Sequence, residues 1–170
     1  LSGPKGTAKS TLVRAAAAFT ETGHLAELPI GSTEDMVFGS IDMEAALQTG
    51  EKKLKPGLLF RAAHTILYMD EVNLLRPDFL TAVLDSAANG FFELQRDGIC
   101  YREDVCYTAV GTMNPEEGTL SAAMLDRFGL FVSLENDTEG RDRTEIVRRV
   151  LRFERSGMEF RHAYADAEQQ

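Results

Sequence analysis

The chain has 170 residues, 44% of them hydrophobic, and its 27 acidic and 18 basic residues give a net charge of −9. This length and apolar content fit one α/β domain that buries its own core. The acidic balance argues against nucleic acid as the main partner. The sequence shows no membrane-spanning run and no signal-peptide pattern, so we expect a cytoplasmic protein without membrane insertion.

The first predicted element is a turn that leads into a helix. It reads Leu1-Ser-Gly-Pro-Lys-Gly-Thr-Ala-Lys-Ser-Thr11 and precedes an Ala-rich run. A phosphate-binding P-loop has this strand–loop–helix setting, because loop N–H groups and the helix dipole converge on an anion. Lys9 would contact the β- and γ-phosphates, and the Ser10 hydroxyl would ligate Mg²⁺. The competing interpretation is a glycine turn that only opens a helix.

Ala8 departs from the P-loop pattern, which carries glycine immediately before its lysine. A β-carbon is tolerable there if φ is negative and costly if the backbone is left-handed. Gly3 and Gly6 remain, so we expect phosphate binding to be retained.

The second landmark is Thr65-Ile-Leu-Tyr-Met-Asp-Glu71, an apolar run that ends in two carboxylates. It predicts a buried parallel strand that delivers Asp70 and Glu71 to the edge of a sheet, although a surface strand before a polar turn is the alternative. In a P-loop enzyme Asp70 would hold Mg²⁺ and Glu71 would polarise the attacking water. The residues predicted to bind ATP and its Mg²⁺ are Gly3, Pro4, Lys5, Gly6, Thr7, Ala8, Lys9, Ser10, Thr11 and Asp70.

The remaining elements alternate between helices and strands. We predict an insertion over 36–57 with a hairpin and a short helical piece, a helix over 58–63, an amphipathic helix over 77–90, a hairpin around Asp97-Gly98, a strand from Tyr107 to Asn114, a helix over 120–128, a strand over 131–134, an arginine-rich helix over 141–155 and a polar helix over 158–170. This order predicts a parallel sheet covered by helices, with a nucleotide-binding core over 1–140 and a helical linker over 141–170.

The cysteines and histidines are sparse and scattered. Cys100 and Cys106 form no CxxC pair, and the three histidines form no constellation typical of a metal site. We therefore expect two reduced, partly buried thiols.

The order of these motifs resembles an AAA+ ATPase and, more narrowly, the ATPase (I-type) subunits of magnesium chelatase. The segments that carry the resemblance are 28–35, 56–59, 67–75, 84–88, 114–118 and 125–129. The resemblance implies that Asn114 is a sensor that orients water and that Arg127 is an arginine finger for a neighbouring subunit. The alternative for Arg127 is a charge that stabilises a helix C-terminus. Arg96 and Arg102, on the hairpin, are the rival candidates for the finger.

The resemblance also implies a helix-2 insertion at 36–57, a pre-sensor hairpin at 91–104 and a longer protein, with more of the first strand and a helical lid outside this sequence. Its activity would be that of an ATP-hydrolysing ring, expected to be hexameric, which acts with a D-type AAA+ subunit. A large porphyrin-binding subunit would then insert Mg²⁺ into protoporphyrin, in the plastid stroma if the organism is a phototrophic eukaryote.

Three alternatives remain open. The first is a related ATPase that remodels another protein client, as in metalloenzyme maturation. The second is a D-type scaffold with a weak ATP site, which Ala8 favours mildly. The third is a DNA helicase, which the net charge of −9 disfavours.

Overall fold

The computed structural model describes residues 1–20, 23–42, 47, 53–96, 99–135 and 140–163. The chain divides into two compact units, Leu1–Glu135 and Asn136–Gln170. Within the described part of the chain, none of the helices has the length and apolar content needed to cross a membrane.

A parallel three-stranded sheet forms the centre of the first unit. Its order is β1 (Leu25–Leu28), β4 (Ile66–Met69) and β7 (Thr108–Gly111), and β4 pairs with both neighbours. All four residues of β4 are buried, which agrees with its unbroken apolar sequence. The carboxyl ends of β4 and β7 therefore meet at one edge of the sheet, where their following residues come together.

The start of the chain extends this sheet. Ser2 forms parallel bridges to Met113 and to Ser133. The strand predicted over 131–134 is therefore wrong in its extent, because only this single bridge forms there. The first two residues of that segment are about half exposed, so the segment has no buried face to stabilise a longer ladder.

Helices cover both faces of the sheet, as the alternation of elements predicts. The helices of this unit are α1 (Lys9–Ala16), α2 (Glu34–Phe38), α3 (Leu58–Arg61), α4 (Pro77–Asn89) and α5 (Ala122–Leu125), with 3₁₀ turns over Ala17–Phe19 and Val72–Leu74. On one face, Val13 of α1 packs against Ile66 and Tyr68. On the other face, Leu67 lies in the main core, together with Leu80 of α4. The α/β fold is thus confirmed.

Two antiparallel hairpins flank the sheet. Strand β2 (Gly39–Asp42) pairs with β3 (Lys53–Pro56), and β5 (Phe91–Arg96) pairs with β6 (Ile99–Asp104). The short helical piece expected inside 36–57 falls almost wholly outside the described residues, as does the turn at residues 97 and 98.

Two expectations from the sequence are corrected. The helix expected over 120–128 is only four residues long, and Arg127 and Phe128 follow it in turns that donate to carbonyls three residues back. Cys100 and Cys106 are exposed rather than partly buried. Cys106 lies between the buried residues Val105 and Tyr107, and burial alternates over these three residues so that Cys106 faces outward.

The second unit contains helices α6 (Gly140–Arg155) and α7 (Gly157–His162). The rings of Phe153 and Phe160 make an edge-to-face contact at 5.8 Å between centroids. The arginine-rich helix is present where the sequence predicts it. The remainder of the helix predicted over 158–170 lies outside the described residues.

Candidate nucleotide-binding site

The loop from Gly3 to Ala8 leaves the edge of the sheet and enters helix α1. The Gly3 N–H donates to the Met113 carbonyl at 3.2 Å, which fixes the start of the loop on the sheet. A β-carbon on Gly3 would lie 2.6 Å from the carbonyl oxygen of Leu134, so this position needs glycine. Thr7 Oγ1 donates to the Pro4 carbonyl at 2.9 Å and closes the turn.

Lys9 lies folded over this loop. Its Nζ donates to the carbonyl oxygens of Gly3 and Pro4, each at 2.8 Å. These two hydrogen bonds hold the ammonium group against the loop that would bind a phosphate. A polyphosphate would offer Lys9 stronger, charge-assisted acceptors than these two carbonyls.

Ala8 has a left-handed backbone, with φ 58° and ψ 24°. This is the conformation in which a β-carbon is costly, by about 1–2 kcal/mol for an L-residue. The strain of this turn is therefore located at Ala8, the position at which the P-loop pattern carries glycine.

Asp70 and Glu71 directly follow the carboxyl end of β4 and lie in a tight turn. Asp70 Oδ1 accepts a hydrogen bond from the Oγ1 of Thr112, the residue that directly follows the neighbouring strand β7. Glu71 has φ 51° and ψ 51° and precedes the 3₁₀ turn. Such left-handed non-glycine residues cost of the order of 1–3 kcal/mol and cluster at functional sites.

Asn114 follows the adjacent strand at the same edge. It is 7% exposed, and its Oδ1 accepts from the Glu116 N–H at 3.2 Å. The amide is thus held by its own loop and lines the same cleft as Asp70 and Glu71, and its role in orienting water stays a prediction.

These elements surround one open cleft of about 300 Å³. Its lining residues are Lys5, Gly6, Ala8, Lys9, Ser10, Asp70, Glu71, Thr112, Met113, Asn114 and Glu117. Two lysines and three carboxylates suit a metal-bound phosphate better than a free one, since the carboxylates would repel an anion that carried no cation. A larger hollow of about 370 Å³, between α4 and the β5–β6 hairpin, is lined by four carboxylates, and no cation is among the described residues that line it, which does not suit phosphate.

The arginine candidates lie elsewhere. Arg127 Nη1 donates to Asp85 Oδ1 on α4, and Arg127 is not among the described residues that line the cleft. Arg102 stacks over the Phe91 ring at 3.6 Å and pairs with Glu93. The side chain of Arg96 is outside the described residues. The role of Arg127 as a finger that acts on a neighbour stays a prediction.

Sequence reasoning missed Thr112 and Glu117, which both line the cleft. It also missed Tyr68, whose hydroxyl lies 3.2 Å from Thr112 Oγ1. Burial raises the pKa of the Tyr68 phenol, and the nearby Ser10 and Thr112 hydroxyls partly offset this shift. The position of Thr112, two residues before Asn114 at a strand end, was the available signal.

Comparison with known proteins places the chain in an AAA domain family. A family model of the AAA domain (dynein-related subfamily) matches residues 1–128. Among solved structures, the chain superimposes on one of the complex between subunits BchI and BchD of magnesium chelatase with a TM-score of 0.71. The sequences are 32% identical, and the match covers 99% of this chain and 66% of that one.

Three curated proteins are similar to this chain in sequence. An uncharacterised protein of Mycobacterium tuberculosis is 45% identical over 98% of this chain and 27% of its own length. The magnesium-chelatase subunit ChlI homologue of Methanocaldococcus jannaschii is 47% identical over 74% of this chain and 34% of its own. Subunit ChlI of Chlorella vulgaris is 42% identical over 86% of this chain and 41% of its own length. The chain thus spans well under half the length of these relatives.

Proposed function

Since the chain belongs to the AAA+ ATPases, in the family of magnesium chelatase I-type subunits, we propose that it binds Mg²⁺-ATP in the described cleft and hydrolyses it. The observation that carries this proposal is the convergence of the P-loop, the acidic turn and Asn114 on one cleft. These residues come from three separate parts of the chain.

Each side chain has a role that its chemistry allows. Lys9 would exchange its two carbonyl partners for phosphate oxygens, and Ser10 and Asp70 would hold the Mg²⁺ of the substrate. Glu71 would accept a proton from the attacking water, while the Asn114 amide would orient that water. Catalysis of phosphoryl transfer is mainly positioning and charge stabilisation, which these side chains would supply.

The binding step is tested by calorimetric titration with a non-hydrolysable ATP analogue. Lys9→Ala should abolish measurable affinity, because it removes the cation held above the loop. Lys55→Ala, on the exposed strand β3, is the matched control and should bind as the wild type does. Equal affinity for wild type and Lys9→Ala would overturn the assignment of the cleft.

We further propose that the protein works as a ring, hexameric by analogy with its family, in which Arg127 acts on the nucleotide of a neighbouring subunit. The match to a BchI–BchD complex supports a D-type AAA+ subunit as partner. In that scheme a large porphyrin-binding subunit carries the protoporphyrin, and ATP hydrolysis drives Mg²⁺ insertion there.

A different protein client is the second candidate. The relative from Mycobacterium tuberculosis matches 98% of the chain, whereas the ChlI proteins named above match 74% and 86%. ATP hydrolysis and porphyrin metallation by the full-length protein, with and without co-encoded partners, separate the two functions. Metallation supports the chelatase motor, and ATP hydrolysis stimulated by a partner without metallation supports the other client.

A further inference from the structure

A chain of buried hydroxyl groups lies behind Asp70. Tyr68 Oη and Thr112 Oγ1 are 3.2 Å apart, and Thr112 Oγ1 lies within hydrogen-bonding distance of Asp70 Oδ1. Thr112 is completely buried and Tyr68 is 1% exposed. Buried hydroxyls are costly unless they are paired, so this arrangement indicates a dedicated network.

The direction of the network follows from the chemistry of its ends. An ionised carboxylate only accepts, so Thr112 must donate its single proton to Asp70. The Thr112 oxygen can then only accept from the Tyr68 hydroxyl, whose oxygen lies 3.2 Å away. The protons therefore run from Tyr68 to Thr112 to Asp70.

Thr112 also fixes the backbone on both sides of the acidic pair. Its N–H donates to the Met69 carbonyl at 3.0 Å, and its carbonyl accepts from the Val72 N–H at 2.9 Å. One residue thus contacts the chain before Asp70, the Asp70 carboxylate itself and the chain after Glu71. The left-handed Glu71 lies between these contacts, where a turn needs such support to persist.

We propose that Thr112 is a positioning residue for the Mg²⁺ site, which orients the Asp70 carboxylate, and that Tyr68 sets the orientation of the Thr112 hydroxyl. This inference rests on the proposed function. The hydrogen bond to Oδ1 restricts rotation of the carboxylate before the metal arrives, so less side-chain entropy is lost on binding. Outer hydrogen bonds of this kind affect metal affinity by about 10–100-fold in other sites.

Three substitutions test the network without large changes in volume. Thr112→Val removes the hydroxyl, Thr112→Ser keeps it, and Tyr68→Phe removes only the first donor. Thr108→Val, at an exposed position of the strand β7 that leads into Thr112, is the matched control. The probe is Mn²⁺ titrated against protein with bound ADP and followed by electron paramagnetic resonance, with the Mg²⁺ dependence of ATP hydrolysis as a second readout.

We expect Thr112→Val to weaken Mn²⁺ binding about tenfold, with metal-free nucleotide affinity unchanged. Thr112→Ser should restore most of the loss, and Tyr68→Phe should show a smaller loss than Thr112→Val. Wild-type Mn²⁺ affinity in Thr112→Val, or a loss in Thr112→Ser as large as in Thr112→Val, would overturn the inference alone. If Thr112→Val does not fold, the Mn²⁺ affinities of Thr112→Ser and Tyr68→Phe are compared with that of the wild type. A wild-type Mn²⁺ affinity in Tyr68→Phe, together with a tenfold loss in Thr112→Ser, would then show that the hydroxyls have no role. A wild-type protein that binds no nucleotide would overturn the proposed function, and the inference with it.

Discussion

Ala8→Gly is the substitution for which the structure makes the sharpest prediction. Ala8 has φ 58°, at the junction of the P-loop and helix α1. Glycine adopts this conformation as readily as its mirror image, so the substitution relieves about 1–2 kcal/mol of strain. It also makes the unfolded chain more flexible, which costs about 0.4–1 kcal/mol.

The midpoints of these two ranges, about 1.5 and about 0.7 kcal/mol, differ by about 0.8 kcal/mol, so we expect Ala8→Gly to raise the free energy of unfolding by about 0.5–1 kcal/mol. For a chain of this size that corresponds to an increase in Tm of roughly 1–4 °C. Affinity for an ATP analogue should be similar or modestly tighter, because the loop no longer holds a strained residue beside the phosphates.

Ala15→Gly is the matched control. Ala15 is exposed within helix α1, where glycine lowers stability by about 0.5–1 kcal/mol relative to alanine. The same chemical change should therefore have opposite signs at positions 8 and 15. Urea unfolding of the three proteins, followed by circular dichroism, measures both. A loss of stability in Ala8→Gly similar to that in Ala15→Gly would refute the strain argument, and a large loss of nucleotide affinity would mean that the Ala8 methyl group packs in the site.

Three other predictions address catalysis and stability. Glu71→Gln should retain ATP binding but nearly stop ATP hydrolysis, since an amide cannot accept the proton of water. Asp70→Asn should weaken the dependence of ATP hydrolysis on Mg²⁺, because it removes a carboxylate proposed to hold the metal ion. If both proteins merely unfold in circular dichroism, the two carboxylates are structural. Arg127→Ala should leave nucleotide binding intact and lower hydrolysis by about 10³–10⁵-fold, and mixed rings should lose activity faster than the mutant share rises. Loss only in proportion to dilution would place Arg127 within its own subunit, where it pairs with Asp85. Burial raises the pKa of Tyr107 from 10.0 to about 12, so the folded state binds the phenol proton more tightly than the unfolded state does. The free energy of unfolding should therefore fall as pH rises from 10 to about 12. Tyr107→Phe should reduce that fall in urea titrations, and an identical pH slope in both proteins would contradict the assignment.

The sequence alone was sufficient wherever the signal is local. The glycines and Lys9 of the loop lie within a few residues of each other, and so do the two carboxylates after β4. The Asp-Gly pair in the sequence between β5 and β6, and Pro77 at the first position of α4, likewise signal through adjacent residues, so the second hairpin and the main helix were predictable from chain order. In each case the conformation depends on neighbours along the chain, whose identities are read directly.

Tertiary structure decided what depends on residues far apart in sequence. The left-handed φ of Ala8 follows from how the loop joins the sheet to α1, which local preference for alanine would not predict. The hydrogen bond from Thr112 to Asp70 joins residues 42 positions apart and exists because parallel strands end at the same edge. The short bridge at Ser133, in place of a strand, reflects the absence of a buried face there. A sequence states which hydroxyls and carboxylates are available, whereas only the packing of the sheet determines which of them meet.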